Sequence, residues 1–120
     1  MIILLYHRIA QPPMDPQLLC VRAERFAEQL DAVRRVATIV PLSDALTANP
    51  QGGASRRVAI TFDDGYADNT ETALPILREF AAPATVFVTA RDDGSSREFW
   101  WDELESLLLD DTQDRWNVML

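Results

Sequence analysis

Two adjacent carboxylates, Asp63 and Asp64, have the residue types and the position that chemistry requires. They follow an apolar run at residues 58–62, and Gly65 after them permits a tight turn. Neighbouring carboxylates repel each other, and a divalent cation removes that cost. Because successive residues of an extended chain point to opposite sides, one carboxylate can hold a metal ion while the other acts as a base. The alternative is a polar surface turn, since aspartate and glycine are common in turns.

His7 is the only histidine in the sequence, and it follows a second apolar run, Ile2–Tyr6. If both runs are strands of one parallel sheet, His7 can reach the same end of the sheet as Asp63 and Asp64. A lone histidine is also commonly a hydrogen-bonded structural residue, so both roles stay open.

Three further residues have both a functional and a structural interpretation. Asp68 could neighbour the carboxylate pair, but we expect it to cap the following helix. Trp100 and Trp101 could stack against a sugar ring. Because they share helical spacing with Leu104 and Leu108, we expect a core position for this face instead, with Trp101 and both leucines inward.

The composition is that of a small acidic globular protein. With 120 residues, 48% of them apolar, the chain has the length of one domain, which we expect to cover residues 1–120. The net charge of −8 argues against a nucleic-acid or anionic-membrane partner, because both need basic surfaces. All 11 basic residues are arginines, which excludes Schiff-base chemistry. Cys20 is the only cysteine, so it can form no internal disulfide, and we expect it to pack.

The N-terminal apolar run is too short for a signal sequence and has no basic residues before it. No stretch of the sequence approaches the length of a membrane span. We therefore expect a cytoplasmic protein, or an extracytoplasmic one if a leader has been removed.

The elements that must position these residues alternate between strands and helices. Short apolar runs predict strands at Ile2–Tyr6 and at residues 38–40, 58–62 and 84–89. Apolar residues three or four apart predict helices at residues 22–36, 43–46, 69–80 and Trp100–Leu109. This alternation predicts a parallel α/β sheet, with ligands bound at the carboxyl ends of its strands.

Four details of these elements can be tested. The continuous apolar run Ile2–Tyr6 predicts a strand buried on both faces. Phe26, Leu30 and Val33 are predicted to face the core from the first long helix, as Leu74, Leu77 and Phe80 are from the third. Ser43 is expected to cap the short helix, and Pro75 to delay or bend the third one.

Residues 58–69, which include the sequence TFDDGY, closely resemble the first motif of the polysaccharide deacetylases. The similarity continues through residues 73–77 and 83–88. Residues 5–8 look like a first strand of that family, and residues 99–105 like a segment of a bacterial branch of it. The resemblance implies an incomplete distorted (β/α) barrel over this chain.

The resemblance also implies a role for individual residues. Asp63 would be the general base that activates a metal-bound water, and Asp64 would be a ligand of a divalent ion, zinc or similar. His7 and Tyr66 would line the site or contact the substrate. The substrate, and hence the implied partner, would be an N-acetylated carbohydrate that loses acetate.

Part of the family pattern does not occur in this sequence. No His-Ser/Thr-x-x-His segment supplies further metal ligands, and Asp64 with His7 gives at most two of the roughly three that catalytic zinc needs. A complete barrel of this general type needs about 250 residues. We therefore expect the N-terminal portion of a deacetylase, inactive alone and prone to self-association through unpaired strand edges.

Two other functions remain as alternatives. The chain could be a truncated or degenerate deacetylase-like fragment without catalysis, acting as an interaction module. A haloacid-dehalogenase-like phosphatase also places aspartates after its first strand. Its aspartates are separated by one residue and it uses a later lysine, and neither feature occurs in this sequence.

Overall fold

The computed structural model describes residues 1–47, 56–90 and 98–109. Contacts within the chain divide it into two compact units, Met1–Thr89 and Ala90–Leu120. The first unit holds a sheet with its helices, and the described part of the second holds one helix. A single domain over residues 1–120 stays a prediction.

Four parallel strands form an open sheet: β1, Ile2–Tyr6; β2, Thr38–Ile39; β3, Arg57–Phe62; and β4, Ala84–Val86. One edge of β3 pairs with the whole of β1. The other edge pairs with β2 at the start of β3 and with β4 at its end. The predicted parallel α/β sheet is therefore confirmed, and β1, β3 and β4 end side by side.

Helices connect these strands: α1, Ala23–Val36; α2, Leu42–Thr47; α3, Leu74–Glu79; and α4, Trp100–Leu109. A π-helical turn, Asn69–Ala73, leads directly into α3. Pro75 lies in the first turn of α3, where its missing N–H needs no partner, so the predicted late start of the regular helix is confirmed. Within the described ranges, every helix falls short of the length and apolarity that crossing a membrane requires.

The predicted cap of α2 is wrong. This helix begins at Leu42, one residue before Ser43, and the amides of Asp44 and Ala45 donate to the carbonyl of Pro41 at 3.1 and 3.0 Å. The Ser43 hydroxyl donates to the Asp44 carboxylate instead, at 3.2 Å. The turn at Pro41 thus starts the helix earlier than residue preferences alone suggest.

A hydrophobic core joins α1 and α3 to one face of the sheet. The ring of Phe26 meets those of Tyr6 and Phe62 edge-to-face, with centroids 5.0 and 5.9 Å apart. Phe26 and Leu30 are fully buried and Val33 is half-buried, which confirms the predicted stripe of α1. The core also contains Ile9, Ile60, Ala73, Leu77 and Ala82, with Leu74 and Phe80 half-buried. It holds the ends of β1 and β3 together.

The prediction that β1 is buried on both faces is wrong. Ile3 and Leu5 are 44% and 54% exposed, while Tyr6 on the opposite face packs into the core. The core covers the face of β1 that carries Tyr6, and among the described residues the face that carries Ile3 and Leu5 stays open to solvent. The central strand β3 is buried from Val58 to Phe62.

The helix α4 lies where predicted, but its expected inward face is wrong. Leu104 and Leu108 are 45% and 57% exposed, and no described residue of α4 is buried. Trp101 stacks on Phe99 with ring centroids 4.7 Å apart. Helical spacing tells which residues share a face, and it does not tell what covers that face.

Candidate active site

The segments that follow β1 and β3 bring the predicted site residues together. The amide of Asp63 donates to the carbonyl of Tyr6 at 2.9 Å, which continues the pairing of β1 with β3 by one residue. Nε2 of His7 lies 3.9 Å from Oδ2 of Asp64. The two side chains are 29% and 24% exposed, so solvent and small molecules can reach both.

A sharp turn follows Asp63. Asp64 and Gly65 both have positive φ angles, 71° and 78°, and the amide of Gly65 donates back to the carbonyl of Asp63 at 2.9 Å. Aspartate is one of the few residue types that tolerate this region of backbone conformation. The carbonyl of Asp64 accepts from the amide of Thr89 at 3.2 Å, so the turn is also held by the segment after β4.

Asp68 and Asn69 hold the segment that follows β1. The Asp68 carboxylate accepts from Nε of Arg8 at 3.0 Å and from the amide of Ile9 at 2.9 Å. Nδ2 of Asn69 donates to the carbonyl of His7 at 2.8 Å. Asp68 does precede the π-helical turn, but its side chain makes no capping hydrogen bond, so the expected cap is wrong. The carboxylate binds a cation and an amide of a distant segment instead.

Arg8 lies between Asp68 and Tyr66. Its guanidinium carbon is 4.5 Å from the centre of the Tyr66 ring, a cation–π distance. Burial lowers the pKa of Arg8, but the hydrogen bond and charge of Asp68 outweigh it, so this pKa is raised. Tyr66 is only 8% exposed. Its ring lies beneath Arg8, and a direct contact of Tyr66 with substrate stays a prediction.

Two side chains at this site could bind one metal ion. Zinc lies about 2.0–2.2 Å from oxygen or nitrogen ligands, so two of its ligands can be at most about 4.4 Å apart. The 3.9 Å between His7 and Asp64 is within that limit. Within residues 1–47, 56–90 and 98–109, no group of three or more His, Cys, Asp or Glu side chains is placed to hold a metal. A complete ligand set is therefore not found among the described residues, and Asp64 as a metal ligand stays a prediction.

A sequence model of the polysaccharide deacetylases matches residues 51–113, more than half of the chain. The chain belongs to the polysaccharide deacetylase family. The match includes the strand β3, the turn with Asp63 and Asp64, and both Asp68 and Asn69.

This chain is similar to parts of several individual deacetylases. YxkH of Bacillus subtilis (strain 168), named as a polysaccharide deacetylase, is 30% identical over 71 residues, which are 58% of this chain and 25% of YxkH. IcaB from Ammonifex degensii matches with a TM-score of 0.67 and 29% identity, covering 81% of this chain and 41% of IcaB. The Streptococcus pyogenes deacetylase PplD, in complex with acetate, gives 0.65 and 26%, covering 89% and 51%.

These matches confirm the fold that the resemblance implied. The sheet of this polysaccharide deacetylase corresponds to part of the (β/α) fold of IcaB and PplD, and it is open. The chain spans a quarter of the length of YxkH and about half or less of the two solved structures.

Sequence reasoning missed Arg8 and Asn69 as parts of this site. Each is the direct neighbour of a residue that was considered, His7 and Asp68. A polar residue beside a candidate at the end of a buried strand is a signal that could have indicated both. Their pairing could not be read from the sequence, because about 60 residues separate the partners.

Proposed function

We propose that this chain carries part of the active site of a metal-dependent hydrolase that removes N-acetyl groups from an N-acetylated sugar or polysaccharide. The observation that supports it is the arrangement at the carboxyl ends of β1 and β3. There Asp63 and Asp64 follow the central strand, and His7 lies 3.9 Å from Asp64. Family membership supports the reaction class.

The two carboxylates have different roles in this proposal. Asp64 is a ligand of a divalent ion, zinc or similar, which when bound polarises the acetamide carbonyl and lowers the pKa of water. Asp63 accepts a proton from the attacking water, whose oxygen bonds to the carbonyl carbon. The C–N bond then breaks, the sugar amine takes up a proton, and acetate leaves. His7 lines the site beside Asp64.

Tyr66 has a supporting role in this proposal, and the described residues do not supply a complete metal site. Tyr66 supports Arg8 from below and contributes to the wall of the site rather than to the reaction. Because Asp64 and His7 would supply at most two of about three protein ligands, the remaining ligands must come from outside the described residues. We infer that the chain by itself does not release acetate.

Zinc titration by calorimetry on the 120-residue chain tests the metal assignment. We expect one ion per chain, bound more weakly than by a complete site because at most two of about three protein ligands are described. Asp64→Asn should abolish binding because it removes a charged ligand, and His7→Ala should weaken it. Glu24→Gln is the matched control, since Glu24 is an exposed carboxylate on α1. Zinc binding that survives Asp64→Asn unchanged refutes the assignment.

Acetate release tests the catalytic assignment. In a protein that joins this chain to the remaining part of a deacetylase fold, Asp63→Asn should abolish acetate release from N-acetylglucosamine oligomers while zinc affinity is kept. Retained activity would contradict the role of Asp63 as base.

A non-catalytic fragment that acts as an interaction module is the second candidate. The observation that favours it is the incomplete ligand set within the described residues. The two candidates predict opposite results in the zinc titration. The hydrolase part should bind an ion at Asp64, and a degenerate site should bind none.

A further inference from the structure

We propose that Asp68 and Asn69 are positioning residues, which hold His7 beside Asp64. The proposal rests on the proposed function only in taking His7 and Asp64 as parts of the active site. Three consecutive residues after β1, namely His7, Arg8 and Ile9, each accept or donate one hydrogen bond to these two neighbours.

The hydrogen bond from Asn69 acts on His7 itself. Nδ2 of Asn69 donates to the His7 carbonyl at 2.8 Å, which fixes the peptide plane from which the imidazole projects. The same peptide unit is also held at its other end, where the amide of Arg8 donates to the carbonyl of Leu19 at 3.2 Å. The bond from Asn69 is the shorter of the two and comes from a buried side chain, so Asn69 and the loop together fix the orientation of the His7 backbone.

Burial makes this attachment rigid. Asn69 is 4% exposed, Ile9 is fully buried, and the side chain of Asp68 is 12% exposed. Water therefore cannot easily replace these hydrogen bonds, and an unmade bond at such a position is costly. Asn69 also begins the π-helical turn that leads into α3, and Ala73 at the end of that turn belongs to the core.

Asn69 is an unfavourable choice if stability is its only role. Its Oδ1 is buried and has no hydrogen-bond partner among the described residues. Burying a polar atom without a partner is costly, and an apolar side chain of similar size avoids that cost. The presence of a side-chain amide at this position is explained by its N–H group, which donates to the carbonyl of His7. Displacement of a reacting group by about 1 Å can cost about a hundredfold in rate, so such positioning has a function.

The single histidine makes a direct test possible. In the 120-residue chain the ring protons of His7 are the only imidazole signals. We expect nuclear Overhauser contacts from this ring to the β-protons of Asp64 in the unmodified chain. Asn69→Leu keeps the size of the side chain and removes its donor, so these contacts should weaken clearly, although the bond from Arg8 to Leu19 remains. Contacts among the rings of Tyr6, Phe26 and Phe62 should persist, because a folded core does not need the amide.

Two further variants complete the test. Thr70→Val is the matched control, since the Thr70 hydroxyl donates to Ala67 and not to the β1 segment, and it should leave the His7 contacts unchanged. Asp68→Asn keeps the shape of the side chain and weakens its bond to Arg8, so it should reduce the His7 contacts without abolishing them. It also provides the measurement if Asn69→Leu does not fold.

The outcomes separate this proposal from the proposed function. Undiminished His7 contacts to Asp64 in folded Asn69→Leu, or in Asp68→Asn, overturn the positioning role and leave the deacetylase assignment intact. The contacts need neither metal nor substrate. A chain that binds no zinc overturns the metal assignment and leaves the positioning result standing.

Discussion

Gly65 is the residue at which a single added methyl group should distort the candidate site. Its φ angle of +78° lies in the left-handed region that favours glycine. A Cβ atom there would lie 2.8 Å from Cγ1 of Val88 and 3.2 Å from its Cα. Gly65→Ala therefore meets both a conformational penalty and a steric contact with the segment after β4.

The cost can be worked out from these two terms. A non-glycine residue at positive φ costs about 1–2 kcal/mol. Overpacking typically costs about 1–3 kcal/mol, and we take about 1 because Val88 is 73% exposed and can shift. Alanine lowers the conformational entropy of the unfolded chain relative to glycine, which offsets about 0.4–1 kcal/mol of this loss. The free energy of unfolding should fall by about 1–2.5 kcal/mol.

Urea denaturation followed by circular dichroism measures this loss. Val88→Ala alone should change stability by less than about 0.5 kcal/mol, because Val88 is exposed. The double variant Gly65→Ala with Val88→Ala removes the contact with Cγ1 and should recover part of the steric cost of about 1 kcal/mol, leaving the close approach to Cα and Cβ and the conformational penalty.

Two results would refute this reasoning. Gly65→Ala with unchanged stability would mean that the turn relaxes to negative φ without cost. A double variant no more stable than Gly65→Ala would mean that the contact with Cγ1 of Val88 contributes nothing to the loss.

Two further predictions concern the surface and the thiol. The exposed Ile3 and Leu5 of β1 should cause self-association, seen by sedimentation at micromolar concentration and reduced by Leu5→Glu; a clean monomer for the unmodified chain contradicts it. Burial, and secondly the charge of Asp15, raise the pKa of Cys20. Iodoacetamide should therefore alkylate the folded chain with a higher pH midpoint than the urea-unfolded chain. The free energy of unfolding should fall as pH rises through that window, since the folded state holds this proton more tightly; coinciding midpoints argue against it.

Much of the fold could be predicted because it depends on local pattern. The apolar runs at β1 and β3 and the spacing of Phe26 and Leu30 each appear within a few residues of sequence. Pro75 likewise indicates where α3 can begin, since its ring restricts the backbone locally. The carboxylate pair and its place at the end of β3 were predictable for the same reason.

Burial was predicted less well because it depends on neighbours in space. The apolar run of β1 is the same whether its second face is covered or open, and the structure leaves Ile3 and Leu5 exposed. The same holds for Leu104 and Leu108 in α4. Periodicity shows which residues share a face. How far that face is buried depends on the element that packs against it.

The sequence by itself determined the family, the α/β pattern and the positions of Asp63 and Asp64, because these follow from residue types and spacing along the chain. Only the tertiary structure decided that Asp68 binds Arg8 and that Asn69 holds His7. These partners are 60 and 62 residues apart, and each donor could have been satisfied by water or by a helix end. The physical reason is that β1 and β3 are adjacent parallel strands. Their pairing brings His7 to Asp64, and no local pattern contains that contact.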